Sequence, residues 1–383
     1  MLLTPRPTLP QGWDTARVRR LLIVVGGLFI LIVLVIAVGS WFGSSALINP
    51  HHDLVKRNVK VVSISPSQVV LARTTESARP GVYGLDFPSG HAIVGTILGT
   101  TSSTVTRQLR STTGRLAPGT KVGIDAVVWT GDPQTALGIP YRAITFPDPL
   151  GPMPAWLAAG RGSTWVIFVH GIDGTRAGGL RPLGELHRLG LPTLLIAYRN
   201  DPGAPRSPDG HIHLGMTEWQ DLDAAARWAM ARGAQHLVLY GDSMGGSIVT
   251  RFMHLSRLAP RVSALVLDAP VLDWRGVIDH VASRLHLPFV GPPVRWMIEL
   301  RIDVGWDALD ELAQARTFRL PILLFQGLDD PLVPPADSRR FAQTAPGPVT
   351  YVPVPGAAHI ESWNSNPANY EEQLRRFLAP WVG

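Results

Sequence analysis

Residues 237–246 read LVLYGDSMGG, an apolar run that leads directly into the pentapeptide GDSMG at 241–245. The pentapeptide fits the pattern G-x-S-x-G, and the segment after it, SIVTRFMHL, is typical of a helix. A sharp turn from a strand into a helix strains the backbone at its central serine and exposes the hydroxyl above the sheet edge. Gly241 and Gly245 would remove side chains that collide across such a turn. This context predicts that Ser243 is a nucleophile, and an ordinary glycine-rich loop is the alternative.

A serine nucleophile needs a base, and the base needs an orienting acid. Downstream, PILLFQGLDDPLVP at 321–334 is typical of a buried strand followed by a turn with two carboxylates, Asp329 and Asp330. A second strand-like run at 349–354 precedes His359, which is the only one of the twelve histidines beyond these acids. Loops after the carboxyl ends of strands are where α/β sheets form their active sites. The sequence therefore predicts an acid in the first loop and the base in the second.

From about Leu137 onward, short apolar runs alternate with helix-like stretches, which indicates a parallel α/β sheet. The runs typical of buried strands are 164–169, 193–198, 237–240, 264–267 and 322–325. One helix has a predicted start, because Thr217 and Gln220 have capping-box spacing ahead of DLDAAARWAMAR at 221–232. Glu218 would lie in its first turn, where a negative charge complements the helix dipole.

Four segments together resemble the α/β-hydrolase superfamily, in particular its serine esterase, lysophospholipase-like and serine-aminopeptidase-like branch. They are VHGIDG at 169–174, GDSMGG at 241–246, GLDDPLVP at 327–334 and GAAHIESW at 356–363. The resemblance covers roughly residues 140–383. It implies the α/β-hydrolase fold, a mostly parallel central sheet with flanking helices and a cap insertion.

The resemblance also implies which residues carry the acid. In such proteins the acid usually lies on the Asp of a G-x-x-D-x-x-V-P segment. Aligning residues 327–334 with that pattern selects Asp330 as the acid that orients His359 and makes Asp329 a turn residue. Asp268, which follows the strand-like run SALVLD, is the alternative, because some relatives place the acid after that earlier strand.

An oxyanion hole requires backbone N–H groups, which are rigid donors. One should belong to Met244, the residue after the nucleophile. The loop 170–174 should supply the other, since in similar proteins the residue after His-Gly donates it, which makes Ile172 the candidate. Gly171 would let this loop approach the reacting carbonyl closely, and relatives use the residue at His170 structurally, so it is given a supporting role. No cofactor or metal is expected.

Residues 21–38 read LLIVVGGLFILIVLVIAV, 18 residues without a charge. A helix of that length spans roughly 27 Å, close to the hydrocarbon thickness of a bilayer. Arginines precede the run and no Lys or Arg follows it before Lys56, so we expect a single-pass plasma-membrane protein with a cytoplasmic N-terminus and an extracytoplasmic catalytic domain. Trp41 and Phe42 would lie at the interface. An uncleaved signal anchor is favoured over cleavage near the small residues 44–46.

The predicted organisation follows from these segments: a cytoplasmic tail at 1–20, the transmembrane anchor at 21–38, a linker at 39–53, a β-rich accessory region at 54–136 and the α/β-hydrolase domain at 137–383. In the accessory region, β-branched residues that often alternate predict strands at 59–64, 68–72, 92–98 and 121–129. We interpret this region as a spacer or a support for the main domain.

Residues 271–320 separate two predicted core strands by more chain than a crossover helix needs, and in this superfamily such an insert often forms a cap. The insert contains Trp274, Phe289, Trp296 and Met297. A cap lined with these residues would bind an apolar acyl or alkyl group. The alternative is that they pack the underside of the cap itself.

Composition narrows the function further. The chain has 383 residues and no cysteine, which excludes disulfides and cysteine nucleophiles. Its net charge of +6 is too dilute for a nucleic-acid surface, and 32 Arg against 3 Lys is typical of high-GC bacterial coding. The leading hypothesis is a membrane-anchored serine hydrolase that cleaves a small-molecule or lipid ester with an apolar acyl group. Alternatives are a peptidase or acyltransferase of the same fold, or a non-catalytic binding protein.

Overall fold

The computed structural model describes residues 15–52 and 55–382. It begins with one long helix, α1 (Thr15–Ile48), whose apolar stretch is exposed. Among the described residues, the part of this helix from Arg19 to Ile48 is the one segment long and apolar enough to cross a membrane, and its most apolar 18-residue window has a mean hydropathy of 3.4. It could be a membrane anchor or a signal sequence. Most of the predicted cytoplasmic tail, residues 1–14, lies outside the described residues.

The predicted linker is wrong over residues 39–48, which continue α1. This part of the helix is packed against the cap: a Cβ built on Gly43 would lie 2.9 Å from a methyl group of Val294. Tertiary packing stabilises the continuation of the helix across residues 39–48. Their small and polar side chains favour a linker when the sequence is considered alone.

A six-stranded antiparallel barrel forms the accessory region, and its strands pair in the closed order β1-β2-β5-β4-β3-β6. The strands are β1 (Val59–Ile64), β2 (Gln68–Ala72), β3 (Tyr83–Phe87), β4 (Gly90–Thr100), β5 (Thr104–Gly114) and β6 (Lys121–Asp125). Valines and leucines at alternate positions fill its core. The strand predicted at 121–129 stops at Asp125, and two strands were not predicted, because β5 is mostly polar and exposed and β3 is short.

The main domain contains an eight-stranded mixed sheet in the order β14-β13-β12-β11-β9-β10-β8-β7. Its strands are β7 (Tyr141–Asp148), β8 (Gly151–Ala158), β9 (Thr164–Val169), β10 (Thr193–Ile196), β11 (His236–Asp242), β12 (Val262–Asp268), β13 (Ile322–Gly327) and β14 (Val349–Val354). Strands β9–β14 run parallel, as predicted, whereas β7 and β8 form an antiparallel hairpin at one edge. Prolines in FPDPLGPMP conceal this hairpin in the sequence, and edge strands tolerate them.

Helices cover both faces of the sheet, so the central strands are buried throughout. The helices are α2 (Pro133–Leu137), α3 (Leu180–Arg188), α4 (Trp219–Met230), α5 (Met244–Leu255), α6 (Trp274–Arg284), α7 (Gly291–Ile302), α8 (Pro335–Thr344), α9 (Ser362–Ser365) and α10 (Pro367–Leu378). Alternate residues of β9 point into two apolar cores, Ile167 and Val169 on the α4–α5 side and Val166 and Phe168 on the α3–α10 side. The insert predicted at 271–320 contains α6 and α7.

The capping box predicted at Thr217 and Gln220 is wrong. No side chain caps the start of α4, and the Thr217 hydroxyl is buried without a hydrogen-bond partner. The buried Glu218 carboxylate instead accepts hydrogen bonds from the N–H groups of His213 at 2.7 Å, Gly215 at 3.0 Å and Thr217 at 3.3 Å. Glu218 therefore organises the loop before the helix, which a spacing rule cannot detect.

Candidate active site

Ser243 lies at the turn between β11 and α5 with φ 52° and ψ −118°, a strained conformation for a residue with a side chain. A Cβ on Gly241 would lie 2.5 Å from the carbonyl oxygen of Gly245, so glycine is required across the turn. A Cβ on Gly245 would lie 2.1 Å from the carbonyl oxygen of Val169. The second glycine thus accommodates the neighbouring strand rather than the turn itself.

The structure brings Ser243, His359 and Asp330 into one hydrogen-bonded chain. His359 Nε2 lies 2.8 Å from Ser243 Oγ, and His359 Nδ1 lies 2.8 Å from Asp330 Oδ2. The other carboxylate oxygen of Asp330 accepts from the N–H groups of Leu332 at 2.8 Å and Val333 at 2.9 Å. Asp330 is thereby fixed in orientation by the turn that follows β13.

The two alternative acids have other environments. The Asp329 side chain is exposed, and its backbone N–H donates to the Ala357 carbonyl at 3.0 Å. Asp268 lies at the end of β12, where its Oδ1 accepts a hydrogen bond from the Ser362 hydroxyl at 2.7 Å. Among the described residues, His359 has its carboxylate hydrogen bond with Asp330 and with neither alternative.

The charges at the site favour an ionised Asp330 beside a basic imidazole. Burial lowers the pKa of His359, but the Asp330 carboxylate and its hydrogen bond outweigh this and raise it above the ordinary value. Burial raises the pKa of Asp330, but His359 and the N–H groups of Leu332 and Val333 outweigh this and lower it. A histidine in this state can take a proton from a hydroxyl and hold the resulting charge next to a carboxylate.

The loop after β9 passes close to Ser243. A Cβ on Gly171 would lie 2.9 Å from the Cβ of Ser243, so glycine allows this approach. The Gly171 carbonyl accepts hydrogen bonds from the Tyr198 hydroxyl at 2.9 Å and the Gly174 N–H at 3.1 Å. Since the C=O and N–H of a trans peptide point in opposite directions, the Ile172 N–H points away from these partners.

Two amides are therefore available near the Ser243 hydroxyl. The Ile172 side chain lines the same cavity as Ser243, and its N–H has no hydrogen-bond partner in the part of the chain that the structure describes. Met244 is the first residue of α5, and the first N–H groups of a helix have no acceptor within it. The arrangement is that of two donors without acceptors beside a serine hydroxyl.

His170 makes its hydrogen bonds to residues other than Ser243. Its Nε2 lies 2.7 Å from Asp201 Oδ2, its Nδ1 lies 2.9 Å from the Gly171 carbonyl oxygen, and its ring stacks on that of Tyr198 at 4.4 Å. These contacts hold the loop 170–174 and fit the supporting role predicted for His170.

Arg181 was missed by the sequence analysis, because an arginine within an amphipathic helix is typical of a solvated surface. It is 3% exposed, and its Nη2 donates to Asp242 Oδ2 at 2.8 Å. Its Nη1 donates to the carbonyl of Ile360 and, at 3.2 Å, to the amide oxygen of Asn364. Arg181 thus joins the residue before Ser243 to the segment after His359. Burial raises the pKa of Asp242, although Arg181 opposes this.

The barrel contacts the turn that carries His359. Arg79, in the loop between β2 and β3, donates to Glu361 Oε1 at 2.6 Å, and the Tyr83 hydroxyl donates to Glu361 Oε2 at 3.1 Å. Glu361 Oε2 also accepts from the N–H of Ala358, the residue before His359, at 3.2 Å. Glu361 therefore links two barrel side chains to the backbone of the histidine turn.

A second contact joins the main chain before β3 to Asn364 of α9, the short helix that follows this turn. The Val82 N–H donates to the Asn364 carbonyl at 2.9 Å, and the Asn364 side chain donates to the Val82 carbonyl at 2.8 Å. A Cβ on Gly81 would lie 2.0 Å from the Asn364 oxygen, so this close approach requires glycine. The contact joins residues separated by 282 positions, which is why no local pattern announces it.

A cavity of about 350 Å³ opens above Ser243 and His359. From the cap it receives Trp274, Val277 and Val281, and from α1 it receives Leu47. The prediction that the aromatic residues of the cap line it is therefore wrong in part. Of the predicted lining residues only Trp274 is included, because Phe289 and Trp296 point outward and are exposed and Met297 packs beneath the cap.

Comparisons with known proteins agree with this architecture. A family model described as a domain of unknown function (DUF8805) matches residues 60–125, the barrel. An uncharacterized protein of Mycobacterium tuberculosis is 26% identical over 216 residues, which cover 56% of this chain and 69% of the relative. The alpha/beta hydrolase domain-containing protein WAV2 of Arabidopsis thaliana is 26% identical over 160 residues, which cover 38% of this chain and 47% of that protein.

Among solved structures, an esterase of Pyrococcus furiosus superposes with a TM-score of 0.53 at 19% identity, covering 67% of this chain and 96% of the esterase. At that identity the likeness concerns the fold. The order of the sheet, the serine turn after β11 and the superposition lead to one conclusion: this chain has the α/β-hydrolase fold that its sequence motifs predict.

Proposed function

We propose that this chain is a serine hydrolase that cleaves carboxylic esters. The observation that carries the proposal is the hydrogen-bonded chain from Ser243 through His359 to Asp330, which opens onto an apolar cavity. A neutral imidazole 2.8 Å from a hydroxyl can act as its general base. The unpaired N–H groups of Ile172 and Met244 support the presence of an oxyanion hole.

In the proposed reaction, Ser243 Oγ attacks the ester carbonyl carbon while His359 Nε2 takes the hydroxyl proton. The carbonyl oxygen becomes an anion that accepts hydrogen bonds from the Ile172 and Met244 amides. The carbonyl then re-forms, the bond to the leaving oxygen breaks, and His359 returns its proton to that oxygen to release an alcohol. Water, deprotonated by His359, next attacks the acyl carbon. The bond from that carbon to Ser243 Oγ then breaks, His359 returns its proton to Oγ, and the acid leaves. Asp330 holds the imidazole orientation throughout.

The cavity supports an apolar acyl group on the substrate. Its walls above the catalytic serine carry Leu47, Ile172, Val277, Val281 and Leu332. Aliphatic walls of this kind favour a hydrocarbon over a charged side chain, since burying an unpaired charge is costly. We therefore propose that the substrate is a lipid or another ester with an apolar acyl chain.

A fluorophosphonate probe tests this function directly, because it reacts with activated serines. The purified protein should be labelled and should hydrolyse esters, whereas Ser243→Ala should be folded, unlabelled and inactive. An ester series of increasing acyl length locates the preferred chain. Labelling of folded Ser243→Ala would refute the assignment of the nucleophile, and faster turnover of aminoacyl amides than of esters would indicate a peptidase instead.

We propose further that α1 anchors the protein in the plasma membrane, with the N-terminus in the cytoplasm. The support is an apolar run of 18 residues preceded by arginines. A reporter that is active only outside the cytoplasm should work when it is fused after residue 53. Activity of a cytoplasm-only reporter at the same position would reverse the orientation.

A further inference from the structure

The cap exposes five large apolar side chains that the proposed reaction does not use. These are Leu285, Leu287, Phe289, Trp296 and Leu300, which we call the cap patch, and they are 43–67% exposed. Elsewhere in the described residues beyond α1, exposed large apolar side chains are scattered along the chain: Val62, Leu98, Leu255, Leu328, Leu332 and Val382. A concentration of exposed apolar groups in one short insert indicates a surface that is covered in use.

The patch lies on the outward face of the cap. On α7, Ile298 and Ile302 are buried against the domain, whereas Trp296 and Leu300 are exposed. At roughly 100° per residue, residues two positions apart lie on opposite sides of a helix. Trp296 and Leu300 therefore point away from the core that Ile298 and Ile302 enter, and as an i, i+4 pair they form one stripe.

Helix α7 is held against α1 just beyond the apolar run. Val294 packs on Gly43, and Arg301 Nη1 donates to the hydroxyls of Ser44 and Ser45 at 2.8 Å each. The Arg301 guanidinium also lies 4.1 Å from the centre of the Trp41 ring. Val294 and Arg301 are about 10 Å apart along α7, yet both contact one turn of α1. These contacts hold this part of α7 at the level of residues 41–45 of α1.

These contacts fix the height of the cap along α1. The contacted turn, residues 41–45, begins three positions after the apolar run 21–38 ends, and Trp41 and Phe42 are exposed there. In the anchored protein proposed above, the part of α7 held at this level lies close to the plane where hydrocarbon meets water, and its apolar stripe points away from the domain. Aromatic and aliphatic side chains are favoured at this depth.

We propose that the cap patch is seated in the lipid–water interface and that the active-site cavity receives its ester from that lipid surface. This rests on the membrane anchoring and the ester hydrolysis proposed above. Leu47, two residues beyond the contacted turn of α1, lines the cavity together with Val277 and Val281 of the cap. The cavity is thus bounded by the end of the anchor and by the cap, so an ester lipid in the outer leaflet enters it without crossing bulk water.

Spin labels test the position of the patch without reference to activity. The chain has no cysteine, so a single label can be placed on the full-length protein at Phe289→Cys or Leu300→Cys. The matched control is Leu98→Cys, an apolar residue of the barrel that is 53% exposed. In vesicles of phosphatidylcholine and phosphatidylglycerol, labels at 289 and 300 should be several-fold more accessible to oxygen than to a water-soluble nickel chelate, and the label at 98 should show the reverse.

Two results would overturn the proposal. One is chelate accessibility at 289 and 300 equal to that at 98. The other is low accessibility to both reagents with dipolar broadening between labels, which would mean that a second copy of the chain covers the patch. Neither result depends on turnover, so this experiment tests the position of the patch independently of the proposed hydrolase function.

A kinetic comparison tests the supply of substrate. The double variant Trp296→Ser/Leu300→Ser removes the stripe, and neither residue lines the cavity. It should hydrolyse a long-chain ester embedded in vesicles at least tenfold more slowly, with unchanged turnover of a soluble short-chain ester, whereas Leu98→Ser should match the wild type on both. Equal vesicle activity of the double variant and the wild type would contradict the inference. No turnover of either ester by the wild type would instead refute the hydrolase proposal.

Discussion

Replacing Arg79 by methionine tests whether the barrel holds His359 in position. Arg79 Nη1 lies 2.6 Å from Glu361 Oε1, and the Glu361 side chain is only 8% exposed. Arg79 does not line the cavity, so any effect on turnover must act through the turn that carries His359. Methionine keeps the apolar part of the side chain but removes the guanidinium. The Glu361 carboxylate would then keep only the Tyr83 hydroxyl and the Ala358 N–H as donors.

The expected size follows from the lost interaction. A hydrogen bond to a charged group contributes roughly 1.5–3 kcal/mol. Arg79 is 22% exposed, so water replaces part of the lost contact and the lower end of this range applies. If the loss appears as displacement of the histidine turn, about 1.4 kcal/mol corresponds to roughly a tenfold fall in kcat/KM.

The assay is kcat/KM on a soluble short-chain ester across pH, together with thermal unfolding. The contact with Asp330 raises the pKa of His359. A displaced His359 would lose part of this contact, so its pKa should fall and the acid limb of the profile should move to lower pH. Arg57→Met is the matched control, because Arg57 also forms a 2.6 Å ion pair, with Asp86 of the barrel, and this pair makes no hydrogen bond to the histidine turn among the described residues. That pair is more exposed than the pair of Arg79 with Glu361. Its loss should change neither kcat/KM nor the position of the acid limb.

If folded Arg79→Met has the kcat/KM of the wild type and an unchanged acid limb, the barrel does not hold His359 in position through Glu361. An equal fall in the control would lead to the same conclusion, since the effect would then be general destabilisation of the barrel.

The remaining predictions concern the site itself. Asp330→Asn should reduce kcat by several orders of magnitude because it favours the wrong imidazole tautomer. The Asp329 side chain is exposed, so Asp329→Asn should keep a kcat near that of the wild type. The reverse ranking would assign the acid to Asp329 instead. With His359 as the base, kcat/KM should rise with pH, because only the neutral imidazole accepts the proton. The midpoint of this rise should lie above the ordinary pKa of histidine, since the Asp330 carboxylate raises the pKa of His359. A flat profile would contradict this. Gly171→Ala would place a methyl group 2.9 Å from the Cβ of Ser243 and should slow fluorophosphonate labelling about 10²-fold. Gly184→Ala is the control, because its methyl group meets no atom within 4 Å, and it should label at the wild-type rate. Equal labelling rates of the two variants would show that the loop at Gly171 does not crowd Ser243.

Secondary structure was predictable where it depends on neighbouring residues. The ends of four strands (59–64, 68–72, 164–169 and 349–354) agree with the sequence prediction, because burial of apolar or alternating side chains leaves a local signature. The hairpin of β7 and β8 was missed because its prolines imitate a loop. The predicted capping box was wrong because the buried Glu218 carboxylate accepts the hydrogen bonds of backbone N–H groups in the loop before α4.

The candidate site divides in the same way. The turn around Ser243 could be recognised because its glycines, strand and helix are contiguous, and Asp330 and His359 could be selected because each follows its own strand in a known order. Whether these side chains meet depends on parallel strands that join distant parts of the chain. The structure brings them together, and it separates Asp268, which bonds Ser362 instead.

The sequence by itself determined the strand–turn–helix that presents Ser243 and the apolar character of α1, because both reside in consecutive residues. Only the tertiary structure decided that barrel side chains bond Glu361, that Arg181 is buried beneath the site, and that α1 supplies Leu47 to the cavity. Each of these is a contact between residues far apart in the chain, 282 positions in the case of Arg79 and Glu361. Such contacts form because folding must pair buried polar groups and cover apolar surface wherever the topology brings them together, and no local periodicity records the partner.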